Sequence, residues 1–243
     1  MLQKPQPPAV EGHAPNAPRA GAPEASEFLL HVCHDMRTAL RTIRTRTGLI
    51  QRGCQAAQLS GLEEHFSLIT EGAERIDRLA DGIAAYSIAL QIQNRSFQLT
   101  PLDVLMRAVL TKLDKDLRAN GARVECDKLP RVSGDPDRLM EVFENLLRNA
   151  LCHRGTNPPV IQVTAEKQPD AWLVAVRDNG PGVEAPYLEY IFQPFARLHG
   201  ERRAGPGLGL AVVRLIVERH GGRAWAESNS GGGAAFFFTL PAE

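Results

Sequence analysis

Cysteine is scarce in this sequence, neither sign of charge is in excess, and no apolar run is long. The cysteines are Cys33, Cys54, Cys126 and Cys152, with no Cys-x-x-C pair among them. That excludes a disulfide framework or a cysteine-based zinc site, and reads as the reduced thiols of a cytoplasmic protein. Lysine plus arginine number 28 and aspartate plus glutamate number 28, so the formal charge is zero. Without a basic excess, neither nucleic acid nor a membrane surface is expected as a partner. No stretch approaches the roughly 20 apolar residues of a membrane span, so no membrane segment is expected in this chain. The N-terminus also lacks the basic-then-apolar layout of a signal peptide. What is present is ample core material: 43% of the 243 residues are hydrophobic, enough for one large domain or two small ones.

Residues 1–24 are rich in Pro, Ala and Gly and are expected to be a disordered tail, because they cannot bury enough apolar surface to offset their conformational entropy. Residues 25–94 carry two apolar seams. Leu29, Cys33, Met36, Leu40, Ile43, Thr47 and Ile50 follow a 4-3 spacing. After turn formers around Gly53, Ser60 and Gly61, the same spacing runs through Leu62, Phe66, Ile69, Ala73, Ile76, Ala80, Ile83, Ser87 and Leu90. Two such helices form an antiparallel hairpin. A lone hairpin leaves seam exposed, so a homodimeric four-helix bundle is expected.

Residues 96–243 mix helix and strand signals. Helices are expected over Leu102–Asn120, Asp137–His153 and Leu208–His220. Strands are expected over Ala122–Cys126, Val160–Glu166, Ala171–Val176, Ala224–Ala226 and Ala234–Leu240. This makes the fold α+β: a helical hairpin followed by a two-layer α/β sandwich.

Four short segments stand in order in that second part: Asn145-Leu-Leu-Arg-Asn149-Ala on a helix, Asp178-Asn-Gly180-Pro-Gly182 after a strand, Phe192-Gln-Pro-Phe195, and Gly205-Pro-Gly207-Leu208-Gly209-Leu210 opening a helix. With Glu218-Arg-His-Gly-Gly behind them, they resemble the N, G1, F and G2 boxes of sensor histidine kinases, whose fold is shared with gyrase- and Hsp90-like ATPases. The Phe195-Ala-Arg-Leu-His-Gly run and the short lid add a likeness to phytochrome-like bacterial kinases. The resemblance implies ATP as substrate and Mg²⁺ as its companion.

Each box has a chemical reading. The side-chain oxygen of Asn149 is a hard donor suited to Mg²⁺, and Asn145 shares its helix face one turn earlier. Gly180 and Gly182 let the backbone approach a purine. Gly205, Gly207 and Gly209, with Leu208 and Leu210, would present amides to phosphates at a helix N-terminus. In the family the acid at Asp178 accepts from the adenine amino group, and His153 could stack on the ring. Upstream, His34-Asp35-Met36-Arg37-Thr38-Ala39-Leu40 resembles the family's phosphoacceptor box. His34 would be the nucleophile. Asp35 would orient its ring, and Thr38, on the same face, would place a hydrolytic water. The implied activity is autophosphorylation of His34 from ATP, then transfer to an aspartate of a response regulator receiver domain.

The sequence departs from that pattern at three points. Cys152 stands where a phosphate-reaching lysine is usual, Pro206 removes one amide from the glycine-rich box, and Ala39 replaces a proline. Cys152 and Pro206 motivate a second reading: a catalytically weak, nucleotide-responsive dimer acting as a scaffold or mainly as a phosphatase.

Overall fold

The computed structural model describes residues 22–56, 62–93, 97–198, 206–228 and 232–242. The expected tail lies outside them except at its end. Helix α1 (Ala22–Ala56) already includes residues 22–24, with Pro23 tolerated in the first turn, where no intrahelical donor is needed. The same helix runs through Gly53, where a turn was expected; the local cost of one helical glycine is only about 1 kcal/mol. The loop formers Ser60 and Gly61 lie outside the described residues. Helix α2 (Glu63–Leu90) returns antiparallel, tied to α1 by Arg37–Asp81 at 2.7 Å and Arg44–Asp77 at 3.0 Å.

Only half of each seam is closed by this hairpin. Cys33, Leu40 and Thr47 on α1 are buried, as are Ala73, Ala80, Ala84 and Ser87 on α2. The alternate rows stay open: Ile43 is 47% exposed, Ile50 57%, Ile69 47% and Ile76 39%. A heptad seam puts its two rows on adjoining sides of one face, and a single partner helix covers one of them.

The second part is a five-stranded sheet covered on one face by three helices. Its strands are β2 (Arg123–Cys126), β4 (Val160–Lys167), β5 (Ala171–Asp178), β6 (Ala224–Ser228) and β7 (Ala234–Pro241). They lie in the order β2-β4-β5-β7-β6, antiparallel except for β2 beside β4. Two short strands absent from the sequence reading, β1 (Gln98–Pro101) and β3 (Arg131–Gly134), pair separately. Helices α3 (Leu102–Ala119), α4 (Pro136–Cys152) and α5 (Gly209–Arg219) pack on the sheet.

The period-two alternation of strands builds both faces. Val174, Val176, Phe236 and Phe238 point into the main core under the helices. Their neighbours Leu173, Ala175, Ala235 and Phe237 form a second cluster with Trp225, covered by Arg177 over Phe237 and Arg223 over Trp225. On α4, the expected apolar face of Phe143, Leu146, Leu147, Ala150 and Leu151 is buried throughout. Asp135 caps this helix, its Oδ1 accepting from the amides of Asp137 and Arg138, with Pro136 pre-set in the first turn.

Candidate functional site

The four boxes meet at one end of the sheet because glycines let their backbones touch. Gly180, two residues past β5, sits beneath the carbonyl of His153 at the end of α4; a Cβ there would lie 2.5 Å from that oxygen. Gly182, with φ +80°, lies against the carbonyl of Gly233. Gly207, with φ +77°, abuts the carbonyl of Ala196 and the backbone of Phe195. Gly209 leaves a notch into which Asn145 Oδ1 projects; a Cβ would be 2.9 Å from it. Each contact would be closed by any side chain, which is the physical reason these positions read as glycine.

Asp178 ends β5 two residues before Gly180. Its Oδ1 accepts from the amides of Gly180 at 2.8 Å and Ala234 at 3.1 Å. Burial pushes its carboxyl above the ordinary carboxylate range, opposed by those two amides and by His153. The turn is held by Asn179, which accepts from the amide of Val160 and donates to the carbonyl of Pro158. Across the cleft, Asn145 Nδ2 donates to the carbonyl of Glu141 at 3.0 Å, so its oxygen is turned toward the glycine-rich box. Asn149, one turn on, is half-buried on the same side of α4. His153 caps α4, and Cys152 is exposed beside it.

The segment between β5 and α5 is held from α5. Arg214 stacks over Phe192, with Cζ 4.3 Å from the ring centroid, and pairs with Glu189 at 2.9 Å. Phe195 adopts a left-handed φ of 65°, with its ring 54% exposed. Leu208 is buried and its carbonyl starts α5 by accepting from Val212; Leu210 is half-buried. Gly205 and most of the lid lie outside the described residues.

Residues 134–243 match the family of Histidine kinase-, DNA gyrase B-, and HSP90-like ATPases. The solved catalytic domain of histidine kinase ThkA is 30% identical, superposes with a TM-score of 0.53, and is covered over 97% of its length by 60% of this chain. The chain belongs to the histidine kinase family. Cyanobacterial phytochrome A of Nostoc sp. (strain PCC 7120) is 34% identical over 219 residues, spanning 90% of this chain and 28% of that protein. Sensor histidine kinase ZraS of Escherichia coli (strain K12) is 33% identical over 215 residues, spanning 86% of this chain and 44% of that protein. The chain thus corresponds to under half the length of these relatives.

In this histidine kinase core the phosphoacceptor candidate stands apart from the nucleotide boxes, on α1. His34 is exposed, next to Cys33, which is buried against Ala80 and Ala84. The Thr38 hydroxyl donates to the His34 carbonyl at 3.0 Å, so in this rotamer it is bonded to its own helix. Asp35 lies within α1, but its side chain is outside the described residues. Sequence reasoning missed Gly233 and the Ala234 amide, which complete the Asp178 site. Gly233 has φ +89°, and a Cβ there would lie 1.9 Å from the Asp178 carbonyl. The run Gly231-Gly232-Gly233 was the available signal.

One buried titratable group stabilises this domain at a distance from the boxes. His220, at the end of α5, accepts from the Asp135 amide through Nε2 at 3.0 Å. Nδ1 therefore carries the proton and donates to the Ile216 carbonyl at 2.7 Å. Phe97 stacks on the ring at 4.4 Å, and burial pushes the imidazole pKa down. The folded state thus resists a proton that the unfolded chain accepts near pH 6.5, so stability is full above that pH and falls as pH drops below it. The urea midpoint is expected to fall between about pH 7.5 and about pH 5.5, and His220→Gln to flatten that dependence. An equal slope in the variant would assign the effect elsewhere.

Proposed function

We propose that this chain is the ATP-dependent kinase core of a two-component sensor, with His34 as its phosphoacceptor and a response regulator receiver as its partner. The observation that supports this best is the meeting of the four boxes, Gly180 against His153, Gly207 against Phe195 and Gly209 against Asn145, in a chain that also carries His34 on an exposed helix face. Asp178, with Oδ1 committed to two backbone amides, would turn Oδ2 to the adenine amino group. Gly180 and Gly182 would lie under the purine, and His153 beside it. The amides of Gly205, Gly207, Leu208, Gly209 and Leu210 would bind the phosphates at the start of α5.

The half-buried amide of Asn149 fits a hard cation, and Asn145 Oδ1 faces the same box. Among the described residues no group of three His, Cys, Asp or Glu could hold a metal, so Mg²⁺ would be held through Asn149 and the nucleotide's phosphates. When bound, Mg²⁺ supplies charge neutralisation at the β- and γ-phosphates. A neutral ring nitrogen of His34 would attack the γ-phosphorus as the bond to the β–γ bridging oxygen breaks, giving phosphohistidine and ADP. Asp35 would accept from the other ring nitrogen. Another solved structure shows histidine kinase ThkA in complex with response regulator protein TrrA, and at 24% identity it supports the fold. Four cysteines with no Cys-x-x-C spacing fit a reducing compartment such as the cytoplasm.

The open rows at Ile43, Ile50, Ile69 and Ile76 support a homodimer, in which a second hairpin covers them. Light scattering at micromolar concentration is expected to give twice the 26.6 kDa chain mass; a monomer mass would overturn this. The kinase reading is tested by incubating the protein with γ-labelled ATP and Mg²⁺, which should produce acid-labile label. Nucleotide binding without any label would favour the second reading, the weak nucleotide-responsive dimer, to which the exposed Cys152 at a usual lysine position lends support.

A further inference from the structure

Helix α5 bears on the glycine-rich box by two routes. Its first residues, Gly209 and Leu210, belong to the box. Five residues beyond Gly209, about 7.5 Å along the axis, Arg214 reaches the segment that follows β5. Its guanidinium lies over the ring of Phe192, with Cζ 4.3 Å from the centroid, and one nitrogen pairs with Glu189 at 2.9 Å. Phe192 is itself buried in the main core, so the stack bears on a fixed ring. From this anchor the chain continues through successive backbone bonds. The Phe192 amide donates to the Glu189 carbonyl at 3.3 Å, the Gln193 amide to Tyr190 at 2.9 Å, and the Ala196 amide to Gln193 at 3.1 Å. These turns deliver the backbones of Phe195 and Ala196 against Gly207, where a Cβ would lie 2.5 Å from the Ala196 carbonyl oxygen and 2.8 Å from the Phe195 carbonyl carbon.

The contacts form a closed circuit: from α5 through Arg214 to Phe192, along the turns to Ala196, onto Gly207 and back into α5. Both backbones at the closing point are left-handed, Phe195 with φ 65° and Gly207 with φ +77°. A phenylalanine in that region is costly and persists only where its surroundings hold it. Of the two contacts Arg214 makes, the stack is the stronger. The Glu189 side chain is 72% exposed, so water screens the ion pair, whereas the guanidinium covers a buried aromatic ring. We infer that Arg214 is a positioning residue for nucleotide binding. By holding Phe192 it keeps Phe195 and Ala196 against Gly207, and so sets the amides of Gly207 to Leu210 for the phosphates before a nucleotide arrives. This inference rests on the proposed reading of the glycine-rich box as the phosphate cradle; the circuit of contacts does not depend on it.

The test uses Arg214→Ala and Arg214→Lys in the full chain, with Mg²⁺ present. Alanine is the best helix former, so α5 is not weakened while both contacts are lost; lysine keeps a cation but lacks the flat guanidinium that stacks. Titration calorimetry gives the dissociation constants of ATP, ADP and adenosine, and hydrogen exchange without nucleotide follows the amides of residues 207–212. In Arg214→Ala, ATP and ADP are expected to bind about tenfold more weakly, the scale of one partly desolvated cation–π contact. Adenosine should bind as in wild type, and the amides should exchange faster. Arg214→Lys should fall between the alanine variant and wild type. Equal losses for adenosine and ATP would mean a general loosening of the domain and overturn the assignment; so would unchanged affinity for all three, or unchanged exchange. If wild type binds ATP no more tightly than adenosine, the cradle reading fails, and the exchange rates still decide whether Arg214 holds the box in place. If circular dichroism shows that the alanine variant is unfolded, Arg214→Lys is read by the same criteria with smaller changes.

Discussion

His34→Gln is expected to reduce acid-labile labelling from γ-labelled ATP to background, a loss on the order of a thousandfold or more, as when a covalent nucleophile is removed. Nucleotide affinity should stay at the wild-type value, because His34 lies on α1 and the boxes lie at the end of the sheet. The substitution is mild for the fold. His34 is exposed, and glutamine is a good helix former, so α1 keeps its packing through Cys33 and Leu40. A phosphoramidate bond is hydrolysed in acid and survives in base, whereas a phosphoserine or phosphothreonine ester behaves in the opposite way. Acid-stable label, or equal label in the variant, would place the acceptor elsewhere.

Asp178→Asn should weaken ATP binding about a hundredfold or more, the scale seen when a site built for one hydrogen-bonding partner loses the match. The geometry explains why so small a change matters. Two amides, from Gly180 and Ala234, donate to Oδ1. An asparagine must keep its oxygen there to satisfy them, which turns its NH₂ toward the adenine amino group, donor against donor. The carboxyl also sets a pH dependence. Burial raises its pKa, and only the ionised form accepts freely, so ATP affinity should decline on acidification at a higher pH than an ordinary aspartate, near 3.9, would dictate. Titration calorimetry across a pH series checks both statements. Unchanged affinity in the variant would remove Asp178 from the adenine site.

The boxes were legible because each depends on residue types that few other uses demand in that order. Glycines at 180, 182 and 207 mark places where backbone meets backbone, and Gly209 a place where backbone meets the Asn145 side chain; a side chain at any of them would crowd its neighbour. The heptad rows of α1 and α2 were equally plain, since burial on one side of a helix leaves a 3.6-residue imprint. Strands β1 and β3 were missed because each has a single strand-forming apolar residue, Leu99 or Val132, and ends in Pro101 or Gly134, which read as loop. Gly233 and Ala234 were missed for another reason. They lie more than 50 residues beyond Asp178, and only the pairing of β7 with β5 brings them to it.

By itself, then, the sequence determined the two helical seams and the glycine positions where segments approach, because local periodicity and glycine placement are written in short stretches; the proposed role of His34 rests on the resemblance of the run from His34 to Leu40 to a phosphoacceptor box. Only the tertiary structure decided which half of each helical seam is closed within the hairpin, how Asp178 is held, and that the glycine-rich box rests on the far side of α2 from His34. Those depend on contacts between segments far apart in the chain. Gly82 shows the difference: in the sequence it is one glycine in a helix, and in the fold it is the surface on which Pro206 and Leu208 are seated.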